Sequence, residues 1–403
     1  MTKQISWTVN KMKKANGVTT EFLSAVEISK VRGFHASFPE YSATPLRSLE
    51  QLATRLGLGG IYVKDESYRF GLNAFKVLGA SFAIAKYLAK RLEIDIEKLN
   101  FSILSSPEIR EKLGDITFVT ATDGNHGRGV AWAARQLQQK AVVYMPKGSS
   151  LTRLENIRAE GAVASITDLN YDEAVRLAAD KAEKHGWVVV QDTAWEGYEE
   201  IPKWIMQGYG TIGAESLEQL NRLGVEKPTH IFLQAGVGSF AGALQGYFAS
   251  LLGDGRPQTI VVEANLADCF YKSAIANDEQ PRIVTGDMNT IMAGLACGEP
   301  NTGAWHILRD YSDMFISCSD EVAAKGMRVL GNPLGKDDRI ISGESGAVTV
   351  GLLTLLLEQK QLQDAKDLLQ LNGNSHILLI STEGDTDPQK YRSIVWDGEY
   401  PSS

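Results

Sequence analysis

From about residue 60 onward two hydrophobic patterns alternate along the chain. Short runs rich in Val and Ile are ITFVT (116–120), KAVVYMP (140–146), AVASIT (162–167) and WVVVQD (187–192). Between them lie GRGVAWAARQLQ, LTRLENIRAEG and YDEAVRLAADKAEKHG, whose apolar positions recur every three or four residues. The first pattern predicts buried strands and the second amphipathic helices. The alternation resumes with THIFLQ (229–234), a helix from Ser239, TIVVEA (259–264), MFISCS (314–319), one long helical run from Ser345 to about Leu371, and HILLIST (376–382). Repeated strand–helix–strand units imply parallel sheets covered by helices. Residues 92–115 and 265–312 are less periodic and are expected to be insertions or connections.

In such sheets ligands sit just beyond the carboxyl ends of the strands. The segments there are TATDGNHGRG (120–129), QDTAWEG (191–197), QAGVGSFAG (234–242), EANLADC (263–269) and STEGDTDP (381–388). Gly236-Val237-Gly238-Ser239-Phe240-Ala241 fits the G-x-G-x-x-G/A turn, and Glu263 closes the next strand where a ribose-binding acid would stand. An NAD-dependent oxidoreductase is therefore one reading. The physical content of the motif is broader, because glycines let backbone N–H groups approach any anion at a helix N-terminus. A tight turn with no ligand is the plain alternative.

Lys76 changes the picture. It stands in GLNAFKVLGASFA (71–83), an apolar stretch that reads as the start of a buried helix. Lysine is seldom buried without a function. A second Gly-rich loop, DGNHGRG (123–129), repeats the anion-cradle design, with Gly124, Gly127 and Gly129 permitting tight backbone and Asn125 offering an amide. One lysine and two such loops suit a single small phosphorylated cofactor better than a dinucleotide. Pyridoxal phosphate needs a lysine for its Schiff base, a phosphate cradle and partners for its ring.

These residues resemble the fold-type II pyridoxal-phosphate family, which includes threonine and serine dehydratases, tryptophan synthase β and cysteine synthases. The family's lysine stretch is similar to Asn73-Ala74-Phe75-Lys76, its S-x-G-N-H loop to Thr122-Asp123-Gly124-Asn125-His126, its phosphate loop to AGVGS, and its last strand end to STEGDTD. ATPLRSLEQLATRLG and IYVKDES look like the entry strand and helix, so the resemblance spans roughly residues 40 to 390. It implies an α/β fold with two open, twisted, mostly parallel sheets flanked by helices, in a large domain (1–88 plus 205–403) and a small one (89–204). It also implies pyridoxal 5'-phosphate, bound by Lys76, Asn125, Gly236, Val237, Gly238 and Ser239. Ser381 or Thr382 would face the pyridine nitrogen, the S-G-R-G-D stretch of tryptophan synthase β favouring Ser381. Glu344 matches a position near the ring, with a helix N-cap as its alternative.

Within the family, TDGNHGRGVAWAA and DTAWEGY resemble the diaminopropionate ammonia-lyase branch. That resemblance implies α,β-elimination of D- or L-2,3-diaminopropionate to pyruvate and two ammonia. Two isomers need a base on each face of a planar intermediate. Lys76, its pKa lowered by burial, is assigned the L isomer, and Asp123, the acid that this branch carries within the S-x-G-N-H-like loop, the D isomer. Asp192 would hold the β-amine as ammonium by charge pairing. Thr122 and His126 are expected to support the site, and Trp195 and Tyr198 to wall the substrate pocket, with aromatic core filling as the alternative. A serine or threonine dehydratase shares fold and cofactor, but Asp123 argues against it; a non-catalytic binding module is disfavoured by the complete lysine and loops.

Composition adds exclusions. At 43% hydrophobic and 22% charged over 403 residues the chain is ordinary globular protein, large enough for about two domains. A net charge of -8 without a basic run gives nucleic acid and anionic membrane no attraction. No apolar run reaches the ~18 residues of a membrane span. MTKQISWTVNKMKKANG reads as a surface arm, not a signal peptide. The expectations are a cytoplasmic homodimer acting on a small amino acid, with no metal and no regulatory domain after residue 390. Cys269, Cys297 and Cys318 form no metal framework; the first two lie in loop-like stretches, where a redox-sensitive pair is one reading and inert buried thiols the other.

Overall fold

The computed structural model describes residues 4–122 and 124–401. Two sheets form. The larger has seven strands in the order β1-β10-β9-β8-β11-β3-β2. These are β1 (Ile5–Val9), β2 (Leu46–Ser48), β3 (Gly60–Asp65), β8 (His230–Gln234), β9 (Gln258–Ala264), β10 (Met314–Cys318) and β11 (His376–Ser381). The smaller has the order β6-β5-β4-β7, built from β4 (Thr117–Ala121), β5 (Lys140–Met145), β6 (Val163–Ile166) and β7 (Val188–Val189). Every pairing is parallel except at the two edges of the large sheet, where β1 runs against β10 and β2 against β3. The central strands β8, β10 and β3 are buried along their whole length, as continuous Val/Ile-rich runs must be when helices cover both faces. All four strands of the smaller sheet come from the 89–204 stretch.

Three expectations change. The N-terminal segment is not a loose arm: Ile5 through Val9 pair with Cys318 through Met314 and close one edge of the large sheet. The long helical run breaks after Glu358, a 3-10 turn (Lys360–Leu362) separating it from a short helix (Gln363–Leu368). Its apolar spacing persists across that break, so periodicity alone conceals it. WVVVQD yields only the two-residue β7, because beyond Val190 the next N–H finds a side-chain partner instead of a strand; Gln191 N donates to Tyr198 Oη at 2.8 Å.

What positions the site is the convergence of strand ends with helix starts. Helices Val77–Leu92, Asn125–Gln136, Ser239–Leu252 and Glu344–Glu358 begin there. Gly129 shows how closely they meet: a Cβ at this position would lie 2.9 Å from the Val77 nitrogen. The DGNHGRG helix therefore packs directly on the backbone that carries Lys76. Phe75 N donates to Thr382 O at 3.1 Å and Gly384 N to Asn73 O at 3.0 Å, which ties the Lys76 segment to the end of β11.

Candidate active site

Lys76 immediately precedes the Val77–Leu92 helix, in helical conformation, and is not wholly buried; its side chain is 15% exposed. Its Nζ donates to Asp192 Oδ2 at 2.6 Å. Asp192 follows β7 and is 2% exposed. Burial would raise its carboxyl, but the Lys76 charge, then His126, and the hydrogen bond from Lys76 hold it down at about 2. The Asp192 carboxylate is thus ionised at neutral pH, and the pair faces a cleft between the two sheets.

The cleft is lined by Lys76, Asn125, Asp192, the run Gln234–Phe240, Thr382 and Glu383, with Phe75, Tyr209 and Ser345 filling its walls. At its floor the turn after β8 opens the Ser239–Leu252 helix. Gly238 has φ +93, and a Cβ there would stand 2.3 Å from the Phe270 ring, so only glycine fits. Among the described residues the N–H groups of Gly236, Val237 and Gly238 have no protein acceptor. Ser239 Oγ donates to the Asp192 carbonyl and accepts from Asn301 Nδ2 at 2.9 Å. At the opposite wall Asn125 Nδ2 donates to the Glu383 carboxylate, and Thr382 Oγ1 accepts from Gln234 Nε2 at 3.0 Å.

The family model described as pyridoxal-phosphate dependent enzyme matches residues 38–372. This chain belongs to that family. The diaminopropionate ammonia-lyase of Salmonella typhimurium is 58% identical over 387 residues, which is 96% of this pyridoxal-phosphate enzyme and 96% of that protein. The crystal structure of the Escherichia coli diaminopropionate ammonia-lyase in complex with D-serine has a TM-score of 0.92 at 48% identity, covering 98% of each chain. The same E. coli enzyme in complex with an aminoacrylate-PLP azomethine reaction intermediate gives 0.90 at 49% identity, again over 98% of both chains.

The cleft of this pyridoxal-phosphate enzyme fits its cofactor on physical grounds. Asp192 Oδ1, Tyr209 Oη, Gln234 Oε1 and Ser345 Oγ are buried there without a hydrogen-bond partner among the described residues. Buried polar atoms are normally satisfied, and a small polar group in the cleft is what would satisfy these. The unpaired N–H groups at 236–238 sit at the positive end of a helix of 14 residues, which suits a phosphate. Lys76 supplies the amine.

Several sequence-predicted residues stand elsewhere. Ser381 does not reach the cleft; its Oγ donates to Ser342 Oγ at 2.8 Å, because successive residues of a strand point to opposite faces, and Thr382 is the one exposed to the cleft. Tyr198 is a strut: its Oη accepts from Gln191 N and donates to Val189 O at 3.0 Å. Trp195 stacks on it at 4.2 Å and borders a separate hollow with Asp172, Arg176 and Glu299, so neither aromatic walls the cleft. Thr122 Oγ1 accepts from Gly124 N (2.9 Å) and Gly127 N (3.1 Å), shaping the loop from beneath. His126 is buried with Nε2 at 2.8 Å from Val190 O and Nδ1 at 3.9 Å from Asp192 Oδ2. Glu344 opens its helix behind the cleft wall; burial first, then the Glu383 carboxylate, push it up to about 7 against the pull of Arg153. Asp123 lies outside the described residues.

Glu263, the acid of the dinucleotide reading, is fully buried and accepts from Phe270 N (2.9 Å) and Tyr271 N (2.6 Å) at the start of the Cys269–Ala276 helix. It serves a helix end. The three cysteines are buried, and none is in a disulfide. Sequence reasoning missed Tyr209, Gln234, Asn301 and Glu383. Only Gln234 and Glu383 gave any signal, as polar residues flanking the two strand ends already singled out.

Proposed function

We propose that this pyridoxal-phosphate enzyme is a diaminopropionate ammonia-lyase, taking 2,3-diaminopropionate of either hand to pyruvate and two ammonia. The observation that carries the reading is Asp192: a buried, ionised carboxylate at the cleft, one oxygen on Lys76 and the other without a partner among the described residues. A substrate losing a hydroxyl has no cation at Cβ to offer it, whereas a diamine has. The 58% identity to the Salmonella enzyme supports the same substrate.

Pyridoxal phosphate, when bound, supplies an electron sink that makes the Cα proton of an amino acid removable. The remaining work falls to side chains. Lys76 is the tethering amine and the base on one face, assigned to the L isomer. Before its amine is engaged, Lys76 is held at the cleft by a charge-assisted hydrogen bond to Asp192. Once the amine is engaged, the Asp192 carboxylate is left to receive the β-ammonium and keep that nitrogen protonated as it departs. Asp123 is the base on the opposite face, for the D isomer; its position in the sequence, two residues before Asn125, supports this. Asn125, held by Glu383, offers its amide to the ring oxygen, and Thr382, held by Gln234, offers an uncharged hydroxyl to the ring nitrogen. The N–H groups of Gly236, Val237, Gly238 and Ser239 receive the phosphate, and Glu344 and His126 stand behind the ring-binding and substrate-binding walls.

Steady-state rates on D- and L-diaminopropionate, serine and threonine test the proposal. Diaminopropionate is expected to be preferred, Asp123→Asn to lower the D rate more than the L rate, and Asp192→Asn to lower both. A clear preference for a hydroxy amino acid would sink the substrate reading, and equal losses for Asp123→Asn would sink the division of faces. We place the enzyme in the cytoplasm as a homodimer. No helix among the described residues is long and apolar enough to cross a membrane, and sedimentation would measure the assembly.

A further inference from the structure

Asn301 is 1% exposed and lies outside the cleft, yet every polar group it has is engaged, and the contacts reach both the phosphate turn and the Asp192 segment. Its backbone N–H donates to Val237 O at 2.8 Å, inside the phosphate turn. Its side-chain Nδ2 donates to Ser239 Oγ at 2.9 Å and approaches the Asp192 carbonyl at 3.4 Å. Its Oδ1 accepts from Ala304 N at 3.1 Å and its carbonyl from Trp305 N at 2.8 Å, anchoring all of this to the Thr302–Tyr311 helix. Ser239 Oγ in turn donates to the same Asp192 carbonyl.

We infer that Asn301 is a positioning residue that couples occupation of the phosphate turn to the placement of the Asp192 carboxylate. The inference rests on the cofactor and Asp192 roles proposed above. Asp192 comes from the end of the small sheet, while Val237 and Ser239 belong to the large one. Among the described residues, Asn301 and the Ser239 hydroxyl supply the hydrogen bonds to its carbonyl. A phosphate in the turn competes for the Ser239 hydrogen, and Asn301 Nδ2 is then the donor that keeps the carbonyl in place. Only an amide serves. Aspartate has no donor for either contact and would set a carboxylate beside the anion site. Alanine loses both contacts while keeping the backbone bonds.

The test is carried out on the full-length enzyme reconstituted with pyridoxal phosphate. Asn301→Ala is expected to weaken pyridoxal-phosphate binding about tenfold, as loss of hydrogen bonds next to a charge does, and to leave binding of pyridoxal, which has no phosphate, within about twofold. Asn301→Asp should bind pyridoxal phosphate more weakly still. At saturating cofactor, Asn301→Ala should lower kcat about tenfold in the native background and less than about twofold in Asp192→Asn, because coupled residues are non-additive. A purely structural role predicts additive losses and equal effects on both vitamers. Additive losses, or Asn301→Asp binding as tightly as the native protein, would overturn the inference. If Asn301→Ala does not fold, Ser239→Ala enters the same cycle with the same expected non-additivity on kcat. Native protein that binds no pyridoxal phosphate would refute the cofactor reading instead, which separates the two failures.

Discussion

The chemistry of this enzyme turns on single atoms that have no partner among the described residues. Tyr209 is a clear case. Its ring packs against Phe75 at 4.8 Å, and its buried hydroxyl lines the cleft with no acceptor among the described residues. Burial first, and then the Asp192 charge, keep the phenol protonated, so it can only act as a neutral hydrogen-bonding group. Tyr209→Phe removes no bond within the described chain. The expected result is an unfolding midpoint matching the native protein and a kcat lowered by about tenfold, on the order of one hydrogen bond at a reacting centre. Steady-state kinetics beside a thermal melt read both; a lower midpoint with unchanged kcat would make Tyr209 a packing residue. Sequence had no means of nominating it, because a tyrosine in the middle of a 23-residue helix reads as core. Lys76 was legible for the opposite reason: a charge in an apolar run violates the pattern around it.

Among elements, the turn before the Ser239–Leu252 helix is the most constrained. The GVGS spelling pointed to it, and the backbone gives the cause: a left-handed Gly238 whose missing side chain makes room for Phe270. Gly238→Ala must distort the turn or displace the ring. Pyridoxal-phosphate affinity should fall by at least about tenfold, since the N–H groups that would receive the phosphate lose their common direction. A spectrophotometric titration giving native affinity would show that the turn does not hold the phosphate. The β7 region teaches the converse lesson. Its sequence is apolar and β-branched enough to predict six residues of strand, and only two pair, because Tyr198 and the side chain of Gln191 take over the hydrogen bonds. That early end is what turns Asp192 into the cleft.

At the scale of the molecule, a buried charge cluster stands behind the site. Lys64 in β3 donates to Glu215 at 2.6 Å, and Arg69 donates to both Glu215 and Glu66 at 2.8 Å, all with side chains fully buried. The cluster joins the large sheet to the Glu200–Arg222 helix and to the turn that leads into the Lys76 segment. Glu215 would be raised by burial, but Arg69 first and then Lys64 bring it from 4.5 to about 2. A carboxyl with a depressed folded-state pKa contributes stability that is complete above pH 4.5 and is lost as pH falls toward 2. Glu215→Gln leaves two buried cations short of a counter-charge, which costs about 3–5 kcal/mol. Denaturant melts at pH 7 should register that loss, and the gap between variant and native protein should narrow as pH falls below 4.5. A gap independent of pH would mean that Glu215 acts by shape and not by charge.

The sequence by itself determined the strand–helix alternation, the two glycine-rich turns, the lysine and the order in which they occur. These are local: each depends on residues within a few positions, and periodicity or glycine chemistry expresses it directly. It did not determine which of Ser381 and Thr382 faces the cleft, that Trp195 and Tyr198 turn away from it, or that the N-terminal segment closes a sheet edge. Those outcomes depend on where a strand stops and what another segment offers it, and only the packed chain decides that. The same holds for Asn301, whose three contacts join residues far apart in sequence. No spacing along the chain encodes such a junction; it exists because the end of a small-sheet strand meets a large-sheet turn, and one amide is close enough to bond to both.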